Sequence, residues 1–420
     1  MIKKGSVATW IAFGLLLWMP SRSWTQESNS NLPKAIPQGR AAVLEALEKL
    51  KHREARLPLT EQEPDPAQPP GALGVVNNGR MRKLYLPAEF QASGTRTPDP
   101  AMTLPNDFGV ELFWIASRVN NCHYCLGHQE VKLKKEGLTE EMLLWLDTDW
   151  KRFSPRHQAG FEFARVLTEA PHTITDELVT GLKKHFTELE ILEMAFLVGR
   201  YNSTNRWTDS LGIPQEMERD FSTSLSAAEL EKPSTVVGRP PTKRPLPSDL
   251  EAWRKTLAEA KLRKSRLPLA TTAENVGEAT EPHAALLLNF PIAGKQWLDQ
   301  WSIAKSTSHL PKHLSSCLLF VCAVEDGAPY VQHLACEQLV AEGWSEPEVF
   351  ALLAEKPDSE RGTALQFARK LTHSPQSMTD QDIVALQRYF SPSQIAEIIY
   401  RVGLAAQLDR VTEVAGLGWD

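Results

Sequence analysis

The sequence predicts an all-α fold made of two tandem helical domains, and three observations lead to this prediction. Apolar residues recur at intervals of three and four, as they do on one face of an α-helix. Helix start and stop signals bracket these segments, and no run of alternating β-branched residues lies between hairpin turns. The two halves of the chain also resemble each other, which indicates a duplication.

The composition is that of a globular protein and excludes several other classes. The 420 residues suffice for two or three domains of ordinary size. Hydrophobic residues make up 42% and charged residues 23%, which excludes a largely disordered or fibrous protein. The net charge is -6, so there is no basic surplus to bind nucleic acid. Five cysteines are too few for a disulfide-stapled scaffold.

The first segment, residues 1–30, is typical of an export signal. Lys3 and Lys4 precede an apolar run from Val7 to Met19, and small residues follow it. This run is shorter than the roughly 20 residues that a membrane-spanning helix needs. We therefore expect a cleaved signal and an exported protein, periplasmic or secreted. An uncleaved membrane anchor is the alternative.

The first domain, residues 31–221, carries helical signals in sequence. A short helix comes first, and a Pro-rich stretch at 60–71 separates it from the body of the domain. Phe108, Leu112 and Ile115 then recur at helical spacing. Further along, Gly137 is expected to end a helix. Ser154 with Pro155, and the capping box of Thr187 with Glu190, are expected to begin helices.

The second domain, residues 250–420, repeats the first. Residues 163–212 align without a gap to residues 367–416, and 17 of the 50 pairs are identical, where chance would give about three. The motif RLPL occurs before each copy, at Arg56–Leu59 and Arg266–Leu269. Gly343 is again a stop, and Ser345 with Glu348 forms a capping box. Residues 222–249 are rich in Ser, Thr and Pro and are expected to be a linker that builds no core.

The chemistry-bearing motif is C-x-x-C at Cys122 and Cys125. Two thiols three residues apart on a helix lie on one face and can close a disulfide. If the pair opens the helix, the helix dipole and unpaired amides lower the thiol pKa and favour the reactive thiolate. His128 lies three residues further on, within reach as a proton donor or acceptor. The pattern predicts a dithiol redox site.

The C-x-x-C motif also occurs in other kinds of site. A c-type haem site needs His directly after the second Cys, where this chain has Leu126. Cys122, Cys125 and His128 could supply three zinc ligands, but no second pair follows at a finger-like spacing. A static structural disulfide is the third interpretation, and it stays open together with the zinc site.

The segments ELFWIASRVNNCHYCLGHQ (111–129) and YNSTNRWTDSLGIP (201–214) resemble the alkylhydroperoxidase (AhpD)/carboxymuconolactone decarboxylase family. The resemblance covers about residues 84–214 and, more weakly, 286–417. It implies an all-helical fold and peroxide reduction, with Cys125 as the attacking thiol and Cys122 as the resolving one. Glu111 and His128 would form the proton relay, each one place from the position usual in the family.

The resemblance also implies the partners. These are a hydroperoxide substrate and a thiol electron donor. The resemblance also allows a homo-oligomer. No cofactor, metal or nucleic acid is expected. The alternatives are a lyase of the carboxymuconolactone decarboxylase type and a non-catalytic scaffold with a fixed disulfide.

The second domain has lost the motif. With Gly343 aligned to Gly137, Ala328 and Val331 replace the two cysteines and Cys317 replaces Glu111. The remaining cysteines are Cys317, Cys322 and Cys336. They are expected to be buried and to pack like small apolar side chains, and one disulfide among them is the alternative. We therefore predict that the second domain has a structural role.

Overall fold

The computed structural model of the chain describes residues 34–58, 76–91, 98–238, 246–270 and 281–419. Within these ranges the fold is all-α, as predicted: there are 18 α-helices, and the β-structure is one isolated bridge between Gly39 and Pro233. The expected export signal at 1–30 and the Pro-rich stretch at 60–71 lie outside the described residues. No helix in the described ranges has the length and apolarity needed to cross a bilayer.

The helices of the first half are α1 (Arg40–Leu50), α2 (Asn78–Tyr85), α3 (Asn106–Val119), α4 (His123–Lys135), α5 (Glu140–Thr148), α6 (Pro155–Glu169), α7 (Asp176–Leu182), α8 (Glu188–Ser210) and α9 (Ala227–Leu230). Those of the second half are α10 (Leu250–Lys261), α11 (Pro282–Leu287), α12 (Ala293–Ser306), α13 (Leu314–Asp326), α14 (Pro329–Ala341), α15 (Glu346–Ala351), α16 (Glu360–His373), α17 (Asp380–Gln387) and α18 (Pro392–Ala415). The series α13–α18 repeats the order and approximate lengths of α3–α8.

The start and stop signals found in the sequence act as predicted. Gly137 and Gly343 follow the ends of α4 and α14 with φ of 99° and 98°, a conformation that favours glycine. Thr187 and Ser345 form capping boxes at the starts of α8 and α15. Ser154 caps α6, with proline at the first helical position.

The longest helices, α8 and α18, pack against each other and join the two halves. Glycine permits the close approach, since a Cβ on Gly403 would lie 2.6 Å from Ser203 Oγ. The contact is reciprocal: Arg206 of α8 donates to Thr372 O at 2.8 Å, and Arg410 of α18 donates to Thr168 O at 2.9 Å. Each half thus satisfies a buried carbonyl of the other.

The RLPL motifs make a second reciprocal connection. Arg56 donates to Asp380 at the start of α17, at 2.6 Å, and Arg266 donates to Asp176 at the start of α7, at 2.5 Å. Each buried apolar cluster accordingly contains residues of both halves. The halves share their cores, so removing one would expose apolar surface of the other.

Part of the expected linker belongs to the core. Val236 is 3% exposed and packs with apolar residues of the first half. The adjacent Ser234 donates to the side-chain carboxylate of Asp147, and Thr235 donates to its backbone carbonyl oxygen. The buried carboxylate of Asp147 also pairs with Arg118. The need to satisfy Asp147 explains why a polar segment is held here, where composition predicts a loose chain.

Candidate dithiol site

The two cysteines of the C-x-x-C motif lie at the start of α4, the position that lowers a thiol pKa. Cys122 is the N-cap and Cys125 is in the first turn, and both thiols are free and buried, with 0% and 3% exposure. A tight turn leads from α3 into α4 through Asn121, whose φ is 53°. Asparagine tolerates this left-handed conformation. The turn is closed by a 2.9 Å hydrogen bond from Cys122 N to Ser117 O.

Thr208 of α8 contacts both sulfurs. Its Oγ1 lies 3.1 Å from Cys122 Sγ and 3.1 Å from Cys125 Sγ. The same hydroxyl lies 3.0 Å from the carbonyl oxygen of Thr204. A hydroxyl has one proton and two lone pairs, and it rotates to suit its neighbours. Thr208 can therefore accept hydrogen bonds from two thiols, or donate one to a thiolate.

The two thiols have opposite pKa shifts. Burial opposes ionisation of Cys125, but hydrogen bonds from Cys122, Thr208 and Asn205 outweigh it and lower the pKa of that thiol. Burial, followed by the hydrogen bond to Cys125, raises the pKa of Cys122. The arrangement therefore favours a Cys125 thiolate beside a protonated Cys122, which suits attack by the first and resolution by the second.

A buried amide network fixes the turn against α8. Asn120 Nδ2 donates to Asn202 Oδ1 at 3.0 Å and to Asn205 Oδ1 at 2.9 Å. Asn205 in turn donates to Ser117 Oγ at 3.1 Å. These bonds satisfy polar groups with little access to water and hold the two cysteines at Thr208.

A small cavity lies next to Thr208. Its volume is about 10 Å³, close to the space of one water molecule. Its lining includes Lys34, Arg53, Tyr124, Thr208 and Asp209. Lys34 forms an ion pair with Asp209 Oδ1 and donates to Asn121 O at 3.3 Å. The segment that carries Lys34 thus covers the turn between α3 and α4.

Arg82 of α2 provides a positive charge near Cys125. Its guanidinium carbon lies 4.8 Å from the ring centroid of Trp207. Burial lowers the pKa of Arg82 to about 10, while the phenol of Tyr400 and the thiol of Cys125 favour the charged form. The helix is tied to the motif because Asn78 N donates to Tyr124 Oη at 3.2 Å. Arg82 lies outside the recognisable motif.

The structure does not bring His128 to the thiols. Its Nδ1 lies 2.9 Å from Tyr124 O, and its Nε2 lies 2.8 Å from Arg219 and 3.4 Å from Glu216. The residue four places after Cys125 is Gln129, whose side-chain nitrogen donates to Cys125 O at 3.2 Å. One place along a helix turns a side chain by about 100°, which directs His128 toward Tyr124.

Glu111 also lies apart from the thiols. Its Oε2 is 3.8 Å from His157 Nε2 of α6 and has no hydrogen-bond partner among the described residues. Burial, with a contribution from Asp107, raises the pKa of Glu111 to about 8. Of the four site residues predicted from the sequence, the structure brings together only Cys122 and Cys125.

The second half keeps the scaffold of the site without its sulfurs. Thr412 of α18 donates to Leu408 O at 2.9 Å, as Thr208 does to Thr204 O. Gly327 repeats the left-handed turn with φ of 70°, and Ala328 follows as the N-cap of α14.

The remaining cysteines are free and buried, as predicted. Burial raises the pKa of Cys317 to about 12 and that of Cys336 to about 11, and it raises the pKa of Cys322 further. Groups of three or more His, Cys, Asp or Glu side chains able to hold a metal ion do not occur in the described part of the chain.

Four residues around the thiols were not predicted from the sequence: Thr208, Asn205, Asp209 and Arg82. One signal was present for Thr208, because it aligns with an identical Thr412 in the gap-free match of the halves. Nothing in the local sequence singles out Arg82 or Asp209. Their position at the thiols results from packing between segments far apart in the chain.

Comparison with known proteins gives similarity over a short part of the chain. No protein-family model matches. The "Uncharacterized protein YdfG" of Bacillus subtilis (strain 168) is 26% identical over 101 residues, which is 23% of this chain and 67% of the relative. The "Uncharacterized protein YnjA" of Escherichia coli (strain K12) is 26% identical over 98 residues, which is 23% of this chain and 53% of the relative. The match thus covers about half the length of YnjA.

Proposed function

We propose that the chain is a thiol peroxidase of the alkylhydroperoxidase (AhpD) type, which reduces hydroperoxides through Cys122 and Cys125. The observation that carries the proposal is the shared contact of two free thiols with one hydroxyl, 3.1 Å from each sulfur. The opposite pKa shifts of the two thiols support the division of roles. A structural cysteine pair needs neither feature.

The reaction has two steps on the protein. The Cys125 thiolate attacks the terminal oxygen of the hydroperoxide, the O–O bond breaks, and the leaving alkoxide takes up a proton to become an alcohol. Cys125 is then a sulfenic acid, oxidised by two electrons. The Cys122 sulfur attacks it, a disulfide forms and water leaves. An external dithiol restores the reduced pair by exchange and is itself oxidised to a disulfide.

The surroundings of Cys125 favour the first step. The start of α4 and the guanidinium of Arg82 both stabilise negative charge on the sulfur. Thr208 can donate its proton to the thiolate once the thiol has ionised. The low exposure of Cys122 and Cys125 favours small hydroperoxides over large ones.

The proposal extends to the rest of the chain. The replacement of both cysteines by Ala328 and Val331 supports a structural role for the second half. The reciprocal contacts of Arg206 and Arg410 give this role a physical basis, since the second half completes the core around the site. Residues 1–30 are the basis for an exported location.

The test compares single cysteine variants of the full chain. We expect Cys125→Ser to abolish peroxide consumption with dithiothreitol as the donor. Cys122→Ser should form a sulfenic acid that dimedone traps, because the resolving thiol is absent. Cys336→Ser, in the second half, is the matched control and should retain turnover. Peroxide consumption by Cys125→Ser at the wild-type rate would contradict the proposal, and any lyase activity that survives loss of both cysteines would favour the decarboxylase alternative.

A further inference from the structure

The proposed peroxidase reaction requires protons to move at the dithiol. The Cys125 thiol must lose a proton before it attacks, and the leaving oxygen must gain one as the O–O bond breaks. The same need recurs when Cys122 displaces water from the sulfenic acid. Glu111 and His128, the relay that the family resemblance implies, contact His157 and Arg219 rather than the thiols. The group that moves these protons therefore has to be found elsewhere.

Asp209 is the carboxylate beside the thiols. It follows Thr208 on α8, and its negative charge acts to raise the pKa of both Cys122 and Cys125. It is 7% exposed, and its Oδ2 has no hydrogen-bond partner within the described ranges of the chain. A buried oxygen with no partner is unusual and calls for an explanation.

Asp209 and the residue that contacts both sulfurs, Thr208, share the small cavity. Both residues line it, and the Thr208 hydroxyl contacts the two sulfurs at 3.1 Å. The volume of about 10 Å³ is near the smallest that holds one water molecule. Such a molecule would bridge the hydroxyl and the carboxylate.

We propose that Asp209 is the proton-relay residue of the dithiol site, acting through the Thr208 hydroxyl and this cavity. This inference rests on the proposed peroxidase function. Asp209 accepts the proton of Cys125 and returns it to the oxygen that leaves when the O–O bond breaks. It then accepts the proton of Cys122 and returns it to the hydroxide that leaves the sulfenic acid, so that water forms. Asp209 ends each step as it began.

The charges around Asp209 suit this role. Lys34, from the segment before α1, pairs with Oδ1 and leaves Oδ2 available. Arg53, after α1, lines the same cavity and is attracted to Asp209. Arg56 donates to the carbonyl oxygen of Asp209 at 2.7 Å and holds the end of α8 in place. At the start of α4 the two thiols interact with the charge of Asp209, and Tyr124 lines the same cavity.

The test measures thiol ionisation and peroxide turnover in the same variant of the full chain. Asp209→Asn removes the charge that disfavours the thiolates, so the pH curve of iodoacetamide alkylation should move to lower pH. Turnover of hydrogen peroxide should nevertheless fall roughly 10²-fold, the smaller end of what general acid–base groups contribute. Asp209→Glu should recover part of the rate. The control is Asp299→Asn on the exposed face of α12, where the side chain is 62% exposed, and it should leave both measurements unchanged.

The outcomes separate the relay from the peroxidase proposal. Turnover by Asp209→Asn at the wild-type rate would overturn the relay and leave the peroxidase intact. A parallel fall of alkylation and turnover would also overturn the relay, because it would indicate a structural role. A wild-type chain that consumed no peroxide would overturn the proposed function and the relay with it. Easier alkylation combined with slower turnover is the result that supports the relay.

Discussion

Replacing Thr208 by valine tests the hydroxyl that lies between the two sulfurs. Valine keeps the shape of threonine and removes one oxygen, which contacts Cys122 Sγ and Cys125 Sγ at 3.1 Å each. A hydrogen bond to a charged group stabilises a protein by about 1.5–3 kcal/mol. About 1.4 kcal/mol corresponds to a tenfold change. At pH values below the pKa of Cys125, the population of its thiolate should therefore fall roughly 10- to 150-fold. The pKa of Cys125 therefore rises.

The assay for this variant is the rate of alkylation by iodoacetamide as a function of pH, together with peroxide turnover at neutral pH. Thr412→Val is the matched control, because Thr412 makes the same bond to its helix, at 2.9 Å, and Ala328 and Val331 stand at the aligned positions of the two cysteines. We expect both variants to lose a similar, small amount of thermal stability. Equal alkylation and turnover in Thr208→Val and the wild type would refute the role of the hydroxyl.

Four further predictions concern Arg82, the size of the peroxide, the cysteines of the second half and Glu111. Arg82→Met should raise the pKa of Cys125 and slow peroxide reduction at neutral pH, whereas Arg82→Lys should retain part of the rate; no change in the alkylation curve would contradict this. Hydrogen peroxide should be reduced faster than cumene hydroperoxide, because Cys122 and Cys125 are 0% and 3% exposed. The opposite order in steady-state kinetics would show a wider entrance. Alanine at Cys317, Cys322 and Cys336 together should lower the melting temperature through lost core packing but keep turnover, and lost turnover in a folded variant would give the second half a catalytic role. Glu111→Gln should stabilise the fold above about pH 8 more than below about pH 5. The pKa of Glu111 is raised to about 8 in the folded state, so the protonated carboxyl stabilises the fold at low pH and this stabilisation is lost as the pH rises through that pKa. Thermal melts at both pH values measure the difference, and an equal effect at both would contradict the prediction.

The helical elements could be predicted because their signals are local. The capping box of Thr187 with Glu190 depends on residues three apart, and the stop at Gly137 depends on one backbone angle. These features are determined by neighbours in sequence, which a single chain displays directly.

The environment of the thiols could not be predicted because it depends on distant packing. Thr208 is 83 residues from Cys125, and Lys34 is 175 residues from Asp209. The placement of His128 could not be predicted although it lies close to the cysteines in sequence. One helical position decides whether a side chain faces Cys125 or Tyr124. Its nearness in sequence to the cysteines gave the wrong expectation of contact.

The relation between the halves was only partly visible in the sequence. The alignment of residues 163–212 with 367–416 identified matching segments, including Arg206 with Arg410. It did not reveal that each arginine bonds to the other half, at 2.8 and 2.9 Å. Identical residues can serve a contact within a copy or a contact between copies, and only the packing distinguishes the two.

The most direct test of the account is the mass of the peptide that contains Cys122 and Cys125, measured before and after one equivalent of hydrogen peroxide. Both cysteines lie within four residues, so a single peptide reports on the pair. Excess iodoacetamide in denaturant would label the free thiols before digestion. We expect two labels before peroxide, none after it, and two again after dithiothreitol. Two labels throughout, or a pair that is linked from the start and resists dithiothreitol, would contradict this expectation.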